Sequence, residues 1–462
     1  MLKIAEASLI FCVTAAVLAF GGTEAISFAV VEIVLLGAVL AVLGSKDFEW
    51  AGSLRGAAVP AALIALVIFQ LVPLPGALLR LLRPDNGAWR ATLPGSDDHS
   101  FSSLSIAPYN TRNHLILVVC CAAVFFFARM LERDRASRRR LVTWLVALGT
   151  FEALYGLVQY LTGWQKIFGY VKKYNLEEAT GTYINRNHFA GLLEMVIPFG
   201  VALVLYENAK LPRKVVPGRN ARIKRVLGGR KLSRIGLWLL AATVMVAGLL
   251  FSLSRMGIIS AVASLAVMAA FSGFQRKAGL WFAAGIMACG IILVLWMGAG
   301  AALGRFGTIS EEYASADESR WSLWKDTARL IGGHPLLGSG LGTFPVAFTR
   351  VQSTFLGRFV NHAHNDYLEL ASDLGIPAAA LFFGSTGALL VRVARKAASS
   401  EKSFERAMAL GCLGSIAAIL LHSLTDFNLY IPANALVFSL ILGLAASIPT
   451  ANSGVLRRAY ED

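Results

Sequence analysis

The chain has 462 residues, 56% of them apolar and 15% charged, with a formal charge of +15 and a mean hydropathy of +0.62. Soluble domains carry about 25% charged residues, whereas here uncharged runs recur at about 20 residues, the length that crosses a hydrocarbon core of about 30 Å. These totals exclude an ordinary water-soluble domain. The alternating ten-residue strands of a porin-type barrel are absent, which leaves an all-α polytopic membrane protein.

Twelve membrane spans are expected in chain order, near 4–20, 25–43, 57–73, 113–130, 141–161, 187–206, 236–254, 256–272, 279–299, 376–394, 407–424 and 431–448. Lys3 before an apolar run imitates a signal peptide, but no small-x-small cleavage site follows, so the run is kept as the first span. The termini and the connections at 45–56, 129–140, 207–235, 273–278 and 392–406 hold 28 of the 43 Lys and Arg residues. Basic residues prefer the cytoplasmic side, so both termini are expected inside. Arg138-Arg139-Arg140 and the 207–235 segment read as topology anchors and anionic-lipid contacts, not as a nucleic-acid surface. All five cysteines lie in apolar runs, which suits small buried side chains and excludes a disulfide framework or thiolate metal site.

The alternation leaves 74–112, 162–186, 301–375 and 425–430 outside, with a tight turn at Arg255. Four blocks follow: N-terminal helices in 1–140, central helices in 141–300, a large outer loop at 301–375, and C-terminal helices with a cytoplasmic tail in 376–462. In the large loop Ser315 and Glu318 fit a capping box, with Asp317 as a rival cap. A helix should follow, with Trp321, Trp324, Ala328 and Ile331 on one face, ending at Gly332-Gly333. Gly338-Ser-Gly-Leu-Gly342 reads as a flexible turn; without a preceding strand or a lysine it is a poor phosphate loop. Residues 365–374 suggest a short surface helix, which Gly375-Ile-Pro377 breaks.

The densest chemistry is Asn361-His-Ala-His-Asn-Asp366. An imidazole near its ordinary pKa can accept a hydroxyl proton, so His364 and His362 are catalytic candidates. Asp366 or Glu369 could orient a ring, and Asn365 belongs to the same cluster. Against this stand a loop-closing hydrogen-bond cluster and a zinc site, the latter without obvious third and fourth ligands. Arg255, in Phe-Ser-Leu-Ser-Arg-Met-Gly, offers a planar fork of donors suited to a phosphate or a snorkelling anchor. Arg186 lies among Asn185, Asn187 and His188, where an outer loop enters a span; anion binding and helix capping fit equally. Arg320 and Lys325 read first as solvated charge on the loop helix, and Asp426 and Asn428 as structural hydrogen-bonding groups near His422. Arg320 and Asp426 stay as supporting candidates. Every one of these residues falls on the outer side under one orientation.

The sequence resembles the O-antigen ligase and polymerase family of bacterial envelope glycosyltransferases. Five segments carry the resemblance, in order: Gly181-Thr-Tyr-Ile-Asn-Arg-Asn-His-Phe-Ala190, Leu253-Ser-Arg-Met-Gly257, Gly333-His-Pro-Leu-Leu-Gly-Ser-Gly-Leu-Gly-Thr-Phe344, His362-Ala-His-Asn-Asp-Tyr-Leu-Glu-Leu370 and His422-Ser-Leu-Thr-Asp-Phe-Asn428. It implies a multi-helical protein of the bacterial inner membrane with a large periplasmic loop over the active site. The implied donor is a glycan on undecaprenyl pyrophosphate. The implied acceptor is lipid A-core for a ligase and a growing polysaccharide for a polymerase. Transfer is expected to be inverting and to use no metal or cofactor. By the same resemblance His364 is the base and Arg255 holds pyrophosphate. Many members carry a basic residue just before the Gly-Thr pair; here Glu177-Glu-Ala-Thr180 stands there, and Arg186, or Lys172 and Lys173, would substitute. A transporter of lipid-linked glycan is the rival, though transporters gather polar groups at the midplane, often with inverted repeats.

Overall fold

The computed structural model describes residues 1–45, 56–82, 101–210, 230–272, 309–353, 359–399 and 403–448, and residue 285. The described residues form the helices α1 (Leu2–Leu18), α2 (Ala25–Leu43), α3 (Ala58–Leu71), α4 (Gly76–Leu82), α5 (Pro108–Met130), α6 (Arg135–Thr162), α7 (Arg186–Ala209), α8 (Arg230–Phe251), α9 (Arg255–Phe271), α10 (Ile309–Gly333), α11 (Phe344–Phe348), α12 (Asp366–Leu374), α13 (Ile376–Ala397), α14 (Phe404–His422) and α15 (Pro432–Ala446). A two-stranded antiparallel hairpin, β1 (Lys166–Ile167) and β2 (Tyr170–Val171), lies in the stretch expected to be loop.

Helices dominate because lipid offers no partner to a backbone N–H or C=O, and only a helix satisfies both within one segment. Among the described residues seven helices are long and apolar enough to cross a membrane: α2, α5, α6, α7, the Ser233–Phe251 part of α8, α13 and α14. α3, α9 and α15 are shorter apolar helices. Eleven of the twelve expected spans fall on a helix, and the twelfth, 279–299, lies outside the described residues apart from residue 285, as do 83–100 and 301–308. α7 is the centre of the bundle, and nearly all its side chains are buried against α6, α8, α9, α14 and α15. Small residues let the backbones approach: a Cβ on Gly411 would meet the Phe199 ring at 2.5 Å, and one on Gly248 would meet Ala153 at 2.9 Å.

The two ends of the bundle differ. At one, Arg140 bonds Glu6 through Nε at 2.6 Å, Arg135 and Arg138 face Glu405, and Arg139 and Lys210 face Glu207. Arg138 also donates to Ser447 O, Arg392 to Ile448 O and Arg406 to Ser272 O. The start of α6 is thereby tied to α1, α7, α14 and the segment after α15. At the other end lie the 163–185 loop, the start of α7, the α8–α9 turn, the α14–α15 turn and the large outer segment.

Four local expectations change there. α10 starts at Ile309, so the Ser315–Glu318 pair lies inside the helix instead of capping it. Its buried face is Leu323, Asp326, Thr327 and Leu330, while Trp321 and Ala328 are exposed. The reason is polar: Asp326 accepts the Ser353 N–H at 2.8 Å and its hydroxyl at 2.9 Å, which turns the acidic face inward. α12 is not a surface helix either, since Asp366, Glu369, Ser372 and Asp373 are all buried. The glycine-rich turn is packed, not loose. Gly338, Gly340 and Gly342 have φ of +67°, +112° and +74°, a region that favours glycine. Gly340 N–H donates to Asp373 O at 3.0 Å, Gly342 N–H to Asp373 Oδ2 at 2.7 Å, and Leu341 N–H to Gln70 Oε1 of α3 at 3.0 Å.

Candidate active site

The 361–366 segment reaches the end of the bundle through its own polar residues. Asn365 caps α12, accepting Leu368 N–H at 3.0 Å while donating to Leu424 O at 2.9 Å. Asp366 accepts the Ser423 hydroxyl at 2.6 Å and Leu429 N–H at 3.2 Å. Both side chains therefore fasten α12 to the α14–α15 turn and do not orient a ring. Trp324 Nε1 donates to Ala363 O at 3.0 Å, clamping the motif from α10. Between these ties His364 takes φ +49°, a left-handed conformation uncommon for a residue with a Cβ.

The two motif histidines have different surroundings. His362 stacks on Phe427, with centroids 3.9 Å apart and planes 9° apart, and its Nδ1 lies 2.7 Å from Glu369 Oε1. Glu369 also accepts Ala363 N–H at 2.7 Å. Burial pushes His362 down to about 4 and Glu369 up to about 8, so both favour their neutral forms. His364 is more open, its side chain 36% exposed. Its Nδ1 lies 3.8 Å from Asp426 Oδ1 and has no hydrogen-bond partner among the described residues.

Asp426 is the focus of the site. Its carboxylate, 2% exposed, faces three imidazoles: His364, His188 Nε2 at 3.9 Å and His422 Nε2 at 3.8 Å. Burial alone would raise the carboxyl, but the close approach of His364 and the charges on His188 and His422 outweigh it and hold it well below the usual range. Asp426 is thus an ionised group set to support whichever ring takes a proton. The carboxylate facing His364 comes from the α14–α15 turn, 62 residues along the chain, and not from the neighbouring Asp366 or Glu369. Asn434 locks the assembly: it donates to His188 O and Asn428 Oδ1, each at 2.9 Å, and accepts the Tyr183 hydroxyl at 3.0 Å.

The arginines sit at the same end. Arg255 is half-buried at the first position of α9, after Ser254, whose Oγ accepts Gly257 N–H. A Cβ on Gly257 would lie 2.7 Å from that of Ala190, so the start of α9 is level with the first turn of α7. His188 and Ala190 are two residues apart, about 200° around that turn. Arg186 commits Nη1 to Glu178 Oε1 at 2.6 Å. Lys172 is buried, donates to Glu178 O at 3.3 Å, and is pushed down to about 8 by that burial, against the charge of Glu178. Arg320 is half-buried on α10, away from the start of α7 in sequence and element. The Gly181-Thr182 pair is structural: Glu152 of α6 accepts Thr182 N–H at 2.9 Å and its hydroxyl at 2.8 Å.

Behind the motif runs an apolar cavity of about 630 Å³ between α3, α5, α13 and α15, with Asp366, Tyr430 and His114 at one end and Arg129 and Arg392 at the other. Glu194 and Asn434, both buried beside the cluster, were not anticipated from the sequence. A carboxylate within the apolar run of α7 was the available signal for Glu194.

A search of the curated proteins returned no match. Residues 240–383, from within α8 to the first turns of α13 and including Arg255, His362 and His364, match the family model described as O-Antigen ligase. By its apolar helices the chain is a multi-pass membrane protein, and the match supports an O-antigen ligase domain within it at residues 240–383.

Proposed function

We propose that the protein transfers a glycan from undecaprenyl pyrophosphate to an acceptor hydroxyl, on lipid A-core or a growing polysaccharide, at the periplasmic face of the bacterial inner membrane, with both termini cytoplasmic. The observation that carries the reading is the ionised Asp426 facing His364, the most exposed imidazole of its cluster.

Asp426 favours the His364 tautomer with its proton on Nδ1, leaving Nε2 as the base. Nε2 takes the acceptor proton as the acceptor oxygen attacks the anomeric carbon. The bond from that carbon to the pyrophosphate oxygen breaks with inversion, and undecaprenyl pyrophosphate leaves with the bonding pair. Asp426 stabilises the imidazolium that forms. Arg255 holds the leaving group with two parallel donors, and Arg186 contributes the N–H groups that Glu178 leaves open. Charge that a metal would otherwise neutralise is carried by guanidinium groups. His362, held neutral against Phe427 and Glu369, shapes the wall beside the base. Asn365 and Asp366 hold the start of α12, and Arg320 on α10 offers a supporting charge to the glycan. The apolar cavity behind the motif suits a hydrocarbon chain of a lipid-linked substrate.

The test is transfer by the purified protein in proteoliposomes supplied with a polyprenyl-diphosphate-linked glycan and an acceptor. The wild type should form a glycosidic bond and release the lipid diphosphate. His364→Ala should lose about 10²–10⁴-fold in rate while accumulating normally in the membrane. Substrate movement across the bilayer without bond formation would reject the reading.

A further inference from the structure

Glu194 is the only acidic residue of α7 between its first turn and Glu207, and it is fully buried. A carboxylate at such a place is costly and is retained where it has work to perform. Its Oε2 lies 3.0 Å from His422 Nδ1, and its Oε1 has no partner among the described residues. The other nitrogen of His422, Nε2, lies 3.8 Å from Asp426 Oδ2, whose second oxygen faces His364. Acid and imidazole thus alternate in the order Glu194, His422, Asp426, His364, from the bundle interior to the open face.

We propose that Glu194 and His422 are positioning residues for glycan transfer, which fix the orientation and charge of Asp426 and through it the basicity of His364. This rests on the reading of His364 as the base. A ring flanked by two carboxylates finds an acceptor for each nitrogen when both carry a proton, so His422 presents N–H to Asp426 and offsets part of its charge. Without the Glu194 carboxylate, Nδ1 of His422 loses its partner and the ring is free to turn. Asp426 then holds a proton on His364 more strongly in the resting state, and the base is occupied before the acceptor arrives. Transfer slows, and its acid limb moves to higher pH.

The other groups around the chain are few. His188 faces Asp426 from α7. Asp366 and Glu369 of α12 and His362 of the motif lie on its outer side. α9, packed on α7 and α14, carries Arg255 at its first position and no other charged side chain. α15 carries none, and Glu152 of α6 is bound to Thr182.

The experiment compares full-length wild type, Glu194→Gln, Glu194→Asp, His422→Gln and His364→Gln in proteoliposomes, with initial rates taken across the pH range where imidazole titrates. Glu194→Gln and His422→Gln should lower kcat about tenfold with donor KM essentially unchanged, and should raise the pH of the acid limb. Glu194→Asp, which keeps the charge on a shorter arm, should recover part of both. Wild-type kcat and profile in Glu194→Gln would overturn the proposal. So would activity lost only in proportion to folded protein, with the acid limb in place. If Glu194→Gln does not accumulate, Glu194→Asp decides by the same two readouts. Activity in His364→Gln would instead remove the underlying reading of the base.

Discussion

The two ends of the bundle use charge in opposite ways. At the α6 start, cations are matched: Arg140 with Glu6, Arg135 and Arg138 with Glu405, Arg139 and Lys210 with Glu207. At the far end, Asp426 faces three imidazoles, none within hydrogen-bond distance. Atoms of His188, His364, Glu194 and Asn428 have no partner among the described residues. The first pairs its cations with carboxylates and holds helices in place, although the Nε atoms of Arg138 and Arg392 also have no partner among the described residues. The second is open-valent, and buried polar groups left unmatched are costly unless something else repays them. Matched charge therefore marks the anchor, and unmatched charge marks the site.

Substitutions can break that comparison. Asp426→Asn should cut transfer about a hundredfold or more, because an amide can present N–H to His364 and favour the wrong tautomer. Single-turnover transfer by purified protein checks it, and wild-type rates would make Asp426 a mere fastening. Arg255→Lys should lower kcat/KM about ten- to a hundredfold, since a point charge replaces a planar fork; a full rate would leave Arg255 as an anchor.

A third prediction concerns pH and stability. Glu369 is pushed up from 4.5 to about 8 in the folded protein. Between those values the unfolded chain has lost a proton that the folded chain keeps, so its contribution is complete below 4.5 and declines as pH rises towards 8. Glu369→Gln removes that decline. Melting temperature in detergent should therefore fall less between about pH 5 and pH 8 in the variant than in the wild type. Asp366 and Asp373, also raised by burial, leave part of the slope. The smallest effect belongs to the anchored end: Arg140→Ala, an exposed partner of Glu6, should leave transfer unchanged and melting nearly so. A large loss of activity there would erase the contrast between the ends.

Span positions were legible because apolar periodicity and length are local properties, and the positions of eleven expected spans agree with helices. The motif His362–Asp366 and Arg255 could also be picked out, since clustered polar groups stand out against an apolar chain. Pairing was not legible. Nothing local says that Asp426, and not Asp366 two residues from His364, faces that ring; this depends on how the α14–α15 turn meets the start of α12. The buried face of α10 was misjudged for a related reason. Apolar periodicity points Trp321 and Ala328 inward, while Asp326 is drawn in by Ser353 across the outer segment. Arg186 fits anion binding or helix capping equally in the sequence, and its pairing with Glu178, eight residues away, is visible only in the structure.

The glycine turn at 338–342 bears on how this protein could be re-engineered. Gln70 of α3 donates to Leu337 O and Asp373 O, Ile106 N–H donates to Ser339 O, and a side chain at Gly342 would strike the His114 ring at 2.1 Å. The outer segment is therefore keyed to α3, α5 and the 101–107 segment. Chimaeras that exchange 309–375 alone to change acceptor preference would face a mismatched lock, whereas a cassette that also carries residues 70, 105, 106 and 114 keeps the key with its ward.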